Sequence, residues 1–276
     1  MRLRLPLWQP VVAAVFVFLP APIVIVIAAS FSHTGYLDLP PWPLSLRWYI
    51  ALLSDTEWLG AIGTSLALAF VAASASVLTA LCAAQVLARR RFTGSHFIGL
   101  LLMLPLVFPH AALAVVMVGL LMSFGAGGTF AGLLLVHAIL TLPYAYRPLI
   151  GSVMSLDTDM EEAAMSLGAR PFYVLRRVSL PLIRPGLITG FLFAFIVSFD
   201  EVTVTMFLTG PDITTLPVKI FHAIQETSDP VVGAVSSLIV LVTILAVMLV
   251  QRVVRLEQFA GHGGSDTAVP ARRSHA

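Results

Sequence analysis

Charge is what this sequence has least of. Only 11% of its 276 residues are Asp, Glu, Lys or Arg, against 58% hydrophobic residues, whereas soluble domains carry about 25% charged residues. With several apolar runs of about 18 residues or more, that deficit identifies a polytopic membrane protein rather than a large soluble core. The formal net charge of +2 is small, so its distribution matters more than its size, and no nucleic-acid partner is expected. Cysteine is nearly absent too. Cys82 stands alone inside an apolar run, which excludes an intrachain disulfide and a cysteine-based metal site and makes it a small buried packing residue. The phosphate-cradling pattern G-x-x-x-x-G-K-[ST] does not occur; GAGGTF at 125–130 lacks the lysine, so ATP is not bound by that motif. An H-E-x-x-H metal pair, an internal repeat and a low-complexity domain are also missing.

What is present is six apolar segments, approximately 10–31, 59–88, 97–123, 129–150, 183–208 and 231–254. Each approaches the ~20 residues a helix needs to cross hydrocarbon. Glycines in SFGAGGT, 123–129, mark a tight turn between antiparallel helices. Of 16 Lys and Arg residues, only Arg47 and Lys219 fall in loops on one side. The rest, including Arg89, Arg90, Arg91, Arg147, Arg170, Arg176, Arg177 and Arg184, fall on the other, which makes that side cytoplasmic. The expected fold is therefore all-α, with six transmembrane helices over 9–258 and both termini in the cytoplasm of an inner-membrane protein. Residues 1–8 form the cytoplasmic N-terminus, and the polar, glycine-rich stretch 259–276 a disordered cytoplasmic tail. The first apolar segment exceeds the roughly 7–15 residues of a signal-peptide core and has no clean A-x-A site after it, so it is expected to be retained. Pro20, Pro22, Pro105, Pro109 and Pro143 lie inside the spans and are expected to kink them.

Between spans four and five lies EEAAMSLGARPFYVLRRVSLP, residues 161–181. Thr158 and Glu161 have capping-box spacing, and Met160, Ala163, Ala164 and Leu167 recur at helical spacing as one apolar stripe. Gly168 stands where a helix end wants a left-handed residue. Pro171 suits the first turn of a second helix, which would carry Phe172, Val174, Leu175 and Val178 and stop before Pro181. Two such short helices are marginal alone; they pack either on the ends of this chain's own helices or on a separate cytoplasmic protein.

Glu162-Ala163-Ala164, Gly168 and Val178-x-Leu180-Pro181 resemble the E-A-A-x3-G-x9-I-x-L-P loop of ABC importer permeases, with Val for Ile the sole departure. The resemblance extends over roughly 55–255. HAILTLPYAYRPLIGSVMSLD at 137–157 and SFDEVTVTMFLTGPDITTLPVKIF at 198–221 are similar to the spermidine/putrescine subgroup. It implies a type I importer fold in which loop 157–181 holds a helix seated in an ATPase, with Glu162, Ala163, Ala164, Gly168, Leu180 and Pro181 as its coupling residues. It also implies a second homologous permease, two cytoplasmic ABC ATPase subunits that bind the ATP, an extracytoplasmic binding protein, and no cofactor of the chain's own. A polyamine or related organic cation is the implied cargo; ferric ion, phosphonate and opine are the alternatives carried by related permeases. Without a phosphate loop, energy for uphill movement comes from a partner, from an ion gradient, or not at all.

Asp200 and Glu201 lie well inside span five, where an acid costs roughly 2.5–3.5 kcal/mol. Two readings stay open: a station for a cationic substrate, or an internal pair with a polar group on another span or the partner permease. Adjacent helical residues diverge by ~100°, so they make a poor catalytic dyad, and an intramembrane enzyme is disfavoured. An ion-driven carrier is disfavoured by the lack of inverted repeats. His110 in span three and His137 in span four are expected to hydrogen-bond a helix break or a neighbouring span rather than a metal. Ser65, Ser74, Ser76, Thr79, Ser236 and Ser237 are expected to bridge helices. The outer segment 210–230 is long enough for a short surface helix with Lys219, His222, Glu226 and Asp229 on a polar face.

Overall fold

The computed structural model describes residues 8–34, 39, 41–90, 92–210, 213–226 and 229–262. In chain order the helices are α1 (Trp8–Phe18), α2 (Ala21–Ala29), α3 (Arg47–Ser54), α4 (Thr56–Arg89), α5 (Ser95–Met103), α6 (His110–Ser123) and α7 (Phe130–Met154). They continue with α8 (Thr158–Ser166), α9 (Pro171–Val174), a π-turn at Leu175–Ser179, α10 (Leu180–Leu182), α11 (Arg184–Phe199), α12 (Thr203–Leu208), α13 (Leu216–Glu226) and α14 (Val231–His262). The fold is all-α; the one extended pairing among the described residues is a lone bridge between Gly210 and Ile213.

The chain divides into two compact units, Met1–Leu52 with Asp229–Ala276, and Leu53–Ser228. In the first, α2 packs on α14, and α1 leaves an almost wholly exposed apolar surface. The α1–α2 junction is at Pro20, with Pro22 in the first turn of α2. The segment after α2 is tied down by Ser30 Oγ to Tyr49 Oη at 2.7 Å and by Trp48 Nε1 donating to the Ser32 carbonyl at 3.0 Å. Helix α14 runs through His262, so 259–262 are helical rather than disordered; residues 1–7 and 263–276 lie outside the described residues.

The second unit is built on α4, α7 and α11, which pack against one another. Asp55 starts α4 by accepting from Glu57 N at 2.8 Å and Trp58 N at 3.2 Å, and Thr129 starts α7 by accepting from Gly132 N at 3.1 Å. The glycine turn before α7 uses left-handed backbone at Gly125 and Gly128, both with φ +67°. One face of α4 is a run of small buried residues, Ala69, Ala72, Ala73, Ser76, Ala80 and Ala84, so backbones approach closely, as membrane helices do when apolar burial alone gives no driving force. Helix α11 answers with Gly186 and Gly190. A Cβ on Gly190 would stand 3.0 Å from the Ala145 carbonyl oxygen, and one on Gly186 2.7 Å from Ser152 Cβ.

Three stretches are long and apolar enough to cross a membrane: Pro10–Ala29, which includes the α1–α2 junction, Thr56–Arg89 and Phe130–Met154. Two of the expected spans are bent instead. The third bends by 101° between Ser95–Leu106 and His110–Ser123, where Pro105 sits in a 3-10 turn and Pro109 precedes α6; two prolines remove the donors that would continue the helix. The fifth is entered through a bend of 72° between Pro171–Leu182 and Arg184–Phe199; it then stops at Phe199 and resumes as α12 at Thr203, with a break at Asp200–Val202. By contrast α7 runs on through Pro143 and Pro148, so Pro143 does not end its helix. Cys82 is exposed on this chain, not buried, because it lies off the small-residue face of α4.

Candidate functional site

Two polar constructions stand out in an otherwise apolar unit. The first is the loop after α7. Its cap is Asp157, whose side chain accepts from Asp159 N at 3.0 Å. Thr158 is thus the first helical residue and not the cap, and Glu161 does not close a capping box. Instead, Glu161 Oε1 accepts from Arg89 Nη2 at 2.8 Å and from Ser179 Oγ at 2.7 Å. Helix α8 ends as expected at Gly168, with φ +88°. Gly168 N donates to Met165 O and Ala169 N to Ala164 O, the paired bonds that close a helix on a left-handed residue.

The second short helix does not stop before Pro181. A π-turn, in which Leu180 N donates to Leu175 O, carries it on to Leu182. The wider turn relieves the clash that a proline ring makes with the carbonyl four residues back in an α-helix.

The residues singled out from the sequence in this loop separate into two places. Glu162, Ala163, Ala164 and Gly168 sit on α8 and its end, with Glu162, Ala163 and Gly168 exposed and Ala164 half-buried. Leu180 packs towards the core beside buried Ile183, while Pro181 is exposed. The apolar stripe faces outward: Leu167 is 90% exposed, and Met160, Phe172 and Tyr173 are also exposed. A shallow hollow lined by Ala164, Leu167, Gly168, Ala169, Arg170 and Tyr173 opens beside them.

The second construction is a chain of hydrogen bonds across the break in span five. Glu201 is 8% exposed. Its Oε1 accepts from Val204 N at 2.8 Å, satisfying a donor in the first turn of α12, and its Oε2 lies 3.1 Å from His110 Nδ1. Thr205 Oγ1 donates to the Glu201 carbonyl at 2.8 Å and meets His137 Nε2 at 3.0 Å. The other ring nitrogen of His137 meets Ser198 Oγ at 2.9 Å, so one imidazole touches both sides of the break. Thr141 bonds back to the His137 carbonyl and meets Ser76 Oγ at 2.8 Å, and Ser76 reaches the Ala138 carbonyl. Both histidines therefore bond neighbouring elements, as expected. Asp200, in contrast, is exposed; helix geometry turns it away from Ser198 and Ala194, which face α7. Among the described residues no three His, Cys, Asp or Glu gather as a metal site.

Of the hydroxyls expected to bridge helices, Ser76 does, and Ser65 accepts from Leu216 N at 2.7 Å. Ser74, Thr79 and Ser237 bond back to their own helices. The outer segment forms α13, where Lys219 Nζ meets Glu57 Oε2 at 2.8 Å and lies over the Trp58 ring. Sequence reasoning gave Arg89 and Glu161 other roles, as a cytoplasmic charge and a capping-box residue, and passed over Ser179, Thr141, Ser198, Thr205 and the Gly186–Gly190 pair. Only the last had a usable signal, two small residues four apart in an apolar run.

Residues 75–256 match the family of binding-protein-dependent transport system inner membrane components. The chain belongs to that family: it is a permease subunit of an ABC importer and a multi-pass protein of the inner membrane. Among its relatives is the putrescine transport system permease protein PotI of Escherichia coli K12, 34% identical over 84% of this chain and 85% of that one. The spermidine/putrescine transport system permease protein PotC of Shigella flexneri is 30% identical over 91% of this chain and 94% of that protein. In fold, the chain is similar to a solved bacterial ABC transporter involved in import of the acidic polysaccharide alginate, with TM-score 0.73 at 18% identity, covering 91% of this chain and 98% of that one. A bacterial alginate ABC transporter solved in complex with an alginate pentasaccharide-bound periplasmic protein gives TM-score 0.66 at 15% identity, over 87% of this chain and 90% of that one.

Proposed function

We propose that this chain, paired with a second homologous permease, forms the membrane path for a polyamine or related small organic cation, and that α8 is the element an ATPase subunit moves. A topology of six spans with both termini cytoplasmic, supported by the lysine and arginine distribution, has α8 on the ATPase side. The ATP belongs to two partner subunits, and an extracytoplasmic binding protein delivers the cargo.

The observation that carries the coupling reading is the surface of α8. A helix that buries none of its own residues presents Met160, Ala163 and Leu167 outward beside a hollow, and closes on a left-handed glycine. Small Ala163 and Ala164 let a facing surface approach, and Glu162 is free to meet a basic group there, though an exposed pair alone is worth about 0–1 kcal/mol. For the cargo, the polyamine permeases among the relatives supply the class, and Asp200 supplies a fitting charge. A carboxylate on the outward side of a membrane helix is too costly to leave in lipid, so it faces a water-filled path or a partner. Glu201, engaged with His110 and α12, shapes that place rather than meeting cargo first.

The test is Gly168→Val in the assembled importer. A β-branched residue is strained at φ +88°, so the end of α8 is displaced while the spans are untouched. The variant is expected to insert normally and to lose putrescine uptake while the ATPase subunits still hydrolyse ATP. Normal uptake, or α8 found outside the cell by cysteine labelling, refutes the coupling role. An uptake assay in which putrescine and spermidine do not compete with the cargo refutes the polyamine assignment alone.

A further inference from the structure

We infer that Arg89, Glu161 and Ser179 form the joint through which a displacement of α8 reaches the membrane helices, with Glu161 as the positioning residue at its centre. The inference rests on the coupling reading of α8 and adds where the movement goes next.

Helix α8 buries no residue of its own, so apolar packing does not fix it to the spans. Its polar fastening is one carboxylate oxygen. Glu161 Oε1 takes Arg89 Nη2 at 2.8 Å and Ser179 Oγ at 2.7 Å, joining three elements at a point. Arg89 is the last residue of α4, which has 34 residues and no proline. Ser179 ends the π-turn and is buried; π-turns are rare and concentrate at functional positions.

The ion pair is half-buried, with side chains 20% and 18% exposed, so it is screened less than a surface pair. It is also incomplete. Arg89 Nε and Gln85 Nε2, one turn apart on α4, are buried and have no hydrogen-bond partner. A guanidinium can grip a carboxylate with two parallel bonds, and here only Nη2 is engaged with it. The unused Nε gives the joint a second, tighter setting, reached when α8 shifts so that Glu161 spans both nitrogens. A joint with two settings passes on a displacement, whereas a merely structural tie holds one.

The experiment uses the whole importer, with both permeases, ATPase and binding protein, in proteoliposomes. It reads uptake per ATP hydrolysed together with retention of the ATPase on the purified permease. Glu161→Gln keeps the shape and removes the charge. It is expected to retain the ATPase and hydrolyse ATP at a near-normal rate while uptake per ATP falls about tenfold, the scale of one charge-assisted bond. Arg89→Glu and Glu161→Arg alone are expected to uncouple likewise, and together to recover much of the ratio. Unchanged uptake per ATP in Glu161→Gln overturns the inference. So does a loss that comes only with loss of ATPase retention and is not recovered by the exchanged pair. If Glu161→Gln is normal while Gly168→Val uncouples, this inference alone fails; if both are normal, the coupling reading fails with it.

Discussion

The tightest contact between membrane helices is also the most direct to test. A Cβ on Gly186 would lie 2.7 Å from Ser152 Cβ and 3.1 Å from the Pro148 carbonyl oxygen, and closer still to Ser152 Oγ. Gly186→Ala gains at most about 0.8–1.0 kcal/mol of helix propensity. Against this stands an overpacking cost of about 1–3 kcal/mol, because Ser152 Cβ is fixed to the α7 backbone and cannot swing away. The net expectation is a loss of about 0–2 kcal/mol, read against the control below. Removing the obstacle separates packing from propensity. Ser152→Gly alone costs roughly 0.5 kcal/mol or less by propensity, but combined with Gly186→Ala it vacates the space the new methyl needs, so the double variant is expected to be more stable than the sum of the two. A coupling of about 1 kcal/mol or more is the signature. Gly119→Ala, where a Cβ meets nothing within 4 Å, is the control and is expected to be neutral or stabilising. Denaturant unfolding of the purified permease in detergent measures all four. If Gly186→Ala is as stable as Gly119→Ala, or if its cost adds to that of Ser152→Gly, the close approach of α11 to α7 is wrong.

The remaining expectations concern the break in span five. Asp200→Asn is expected to leave unfolding unchanged, because the side chain is exposed, and to raise the putrescine concentration needed for half-maximal uptake; unchanged uptake kinetics remove Asp200 from the path. Glu201→Gln weakens the cap on Val204 N and the contact with His110 and is expected to cost about 1–2 kcal/mol on unfolding. Stability equal to that of the parent would show that the carboxylate is not engaged. His137→Leu strips a partner from Ser198 and Thr205 together and is expected to cost about 1–3 kcal/mol, read in the same unfolding assay; a neutral result would show that the imidazole does not brace the break.

Helices and loop signals were legible in the sequence because they rest on local rules. Gly168 as the end of α8, Pro171 at the start of α9 and the glycine turn before α7 each follow from backbone geometry that the residue type dictates. Partners separated by 60 residues or more along the chain were not legible. Nothing in the spacing of Glu161 says that it will meet Arg89 rather than cap its own helix, since both uses satisfy the carboxylate locally. Asp200 and Glu201 are adjacent, yet one is exposed and the other buried; only the break at Asp200–Val202 decides which is which. That break hides in an apolar run because Glu201 and Thr205, not a proline or glycine, satisfy the freed backbone. Cys82 was misplaced for a related reason: in a membrane protein an apolar run says nothing about which face of its helix points inward.

Helix α4 links these features physically. Its 34 residues span about 51 Å at 1.5 Å each. At one end Arg89 holds Glu161. In the middle Ser76 meets Thr141, the first link of the hydrogen-bond chain that reaches Glu201. Near the other end Ser65 and Glu57 hold α13 through Leu216 N and Lys219. The neighbouring spans are broken at Val107–Pro109 and at Asp200–Val202, whereas α4 has no such break. On the coupling reading a shift imposed at Arg89 is passed along α4 and, through Ser76, to α7. On the coupling reading, the loop, the break beside Asp200 and the outer helix move as one because they are fastened to the same unbroken helix.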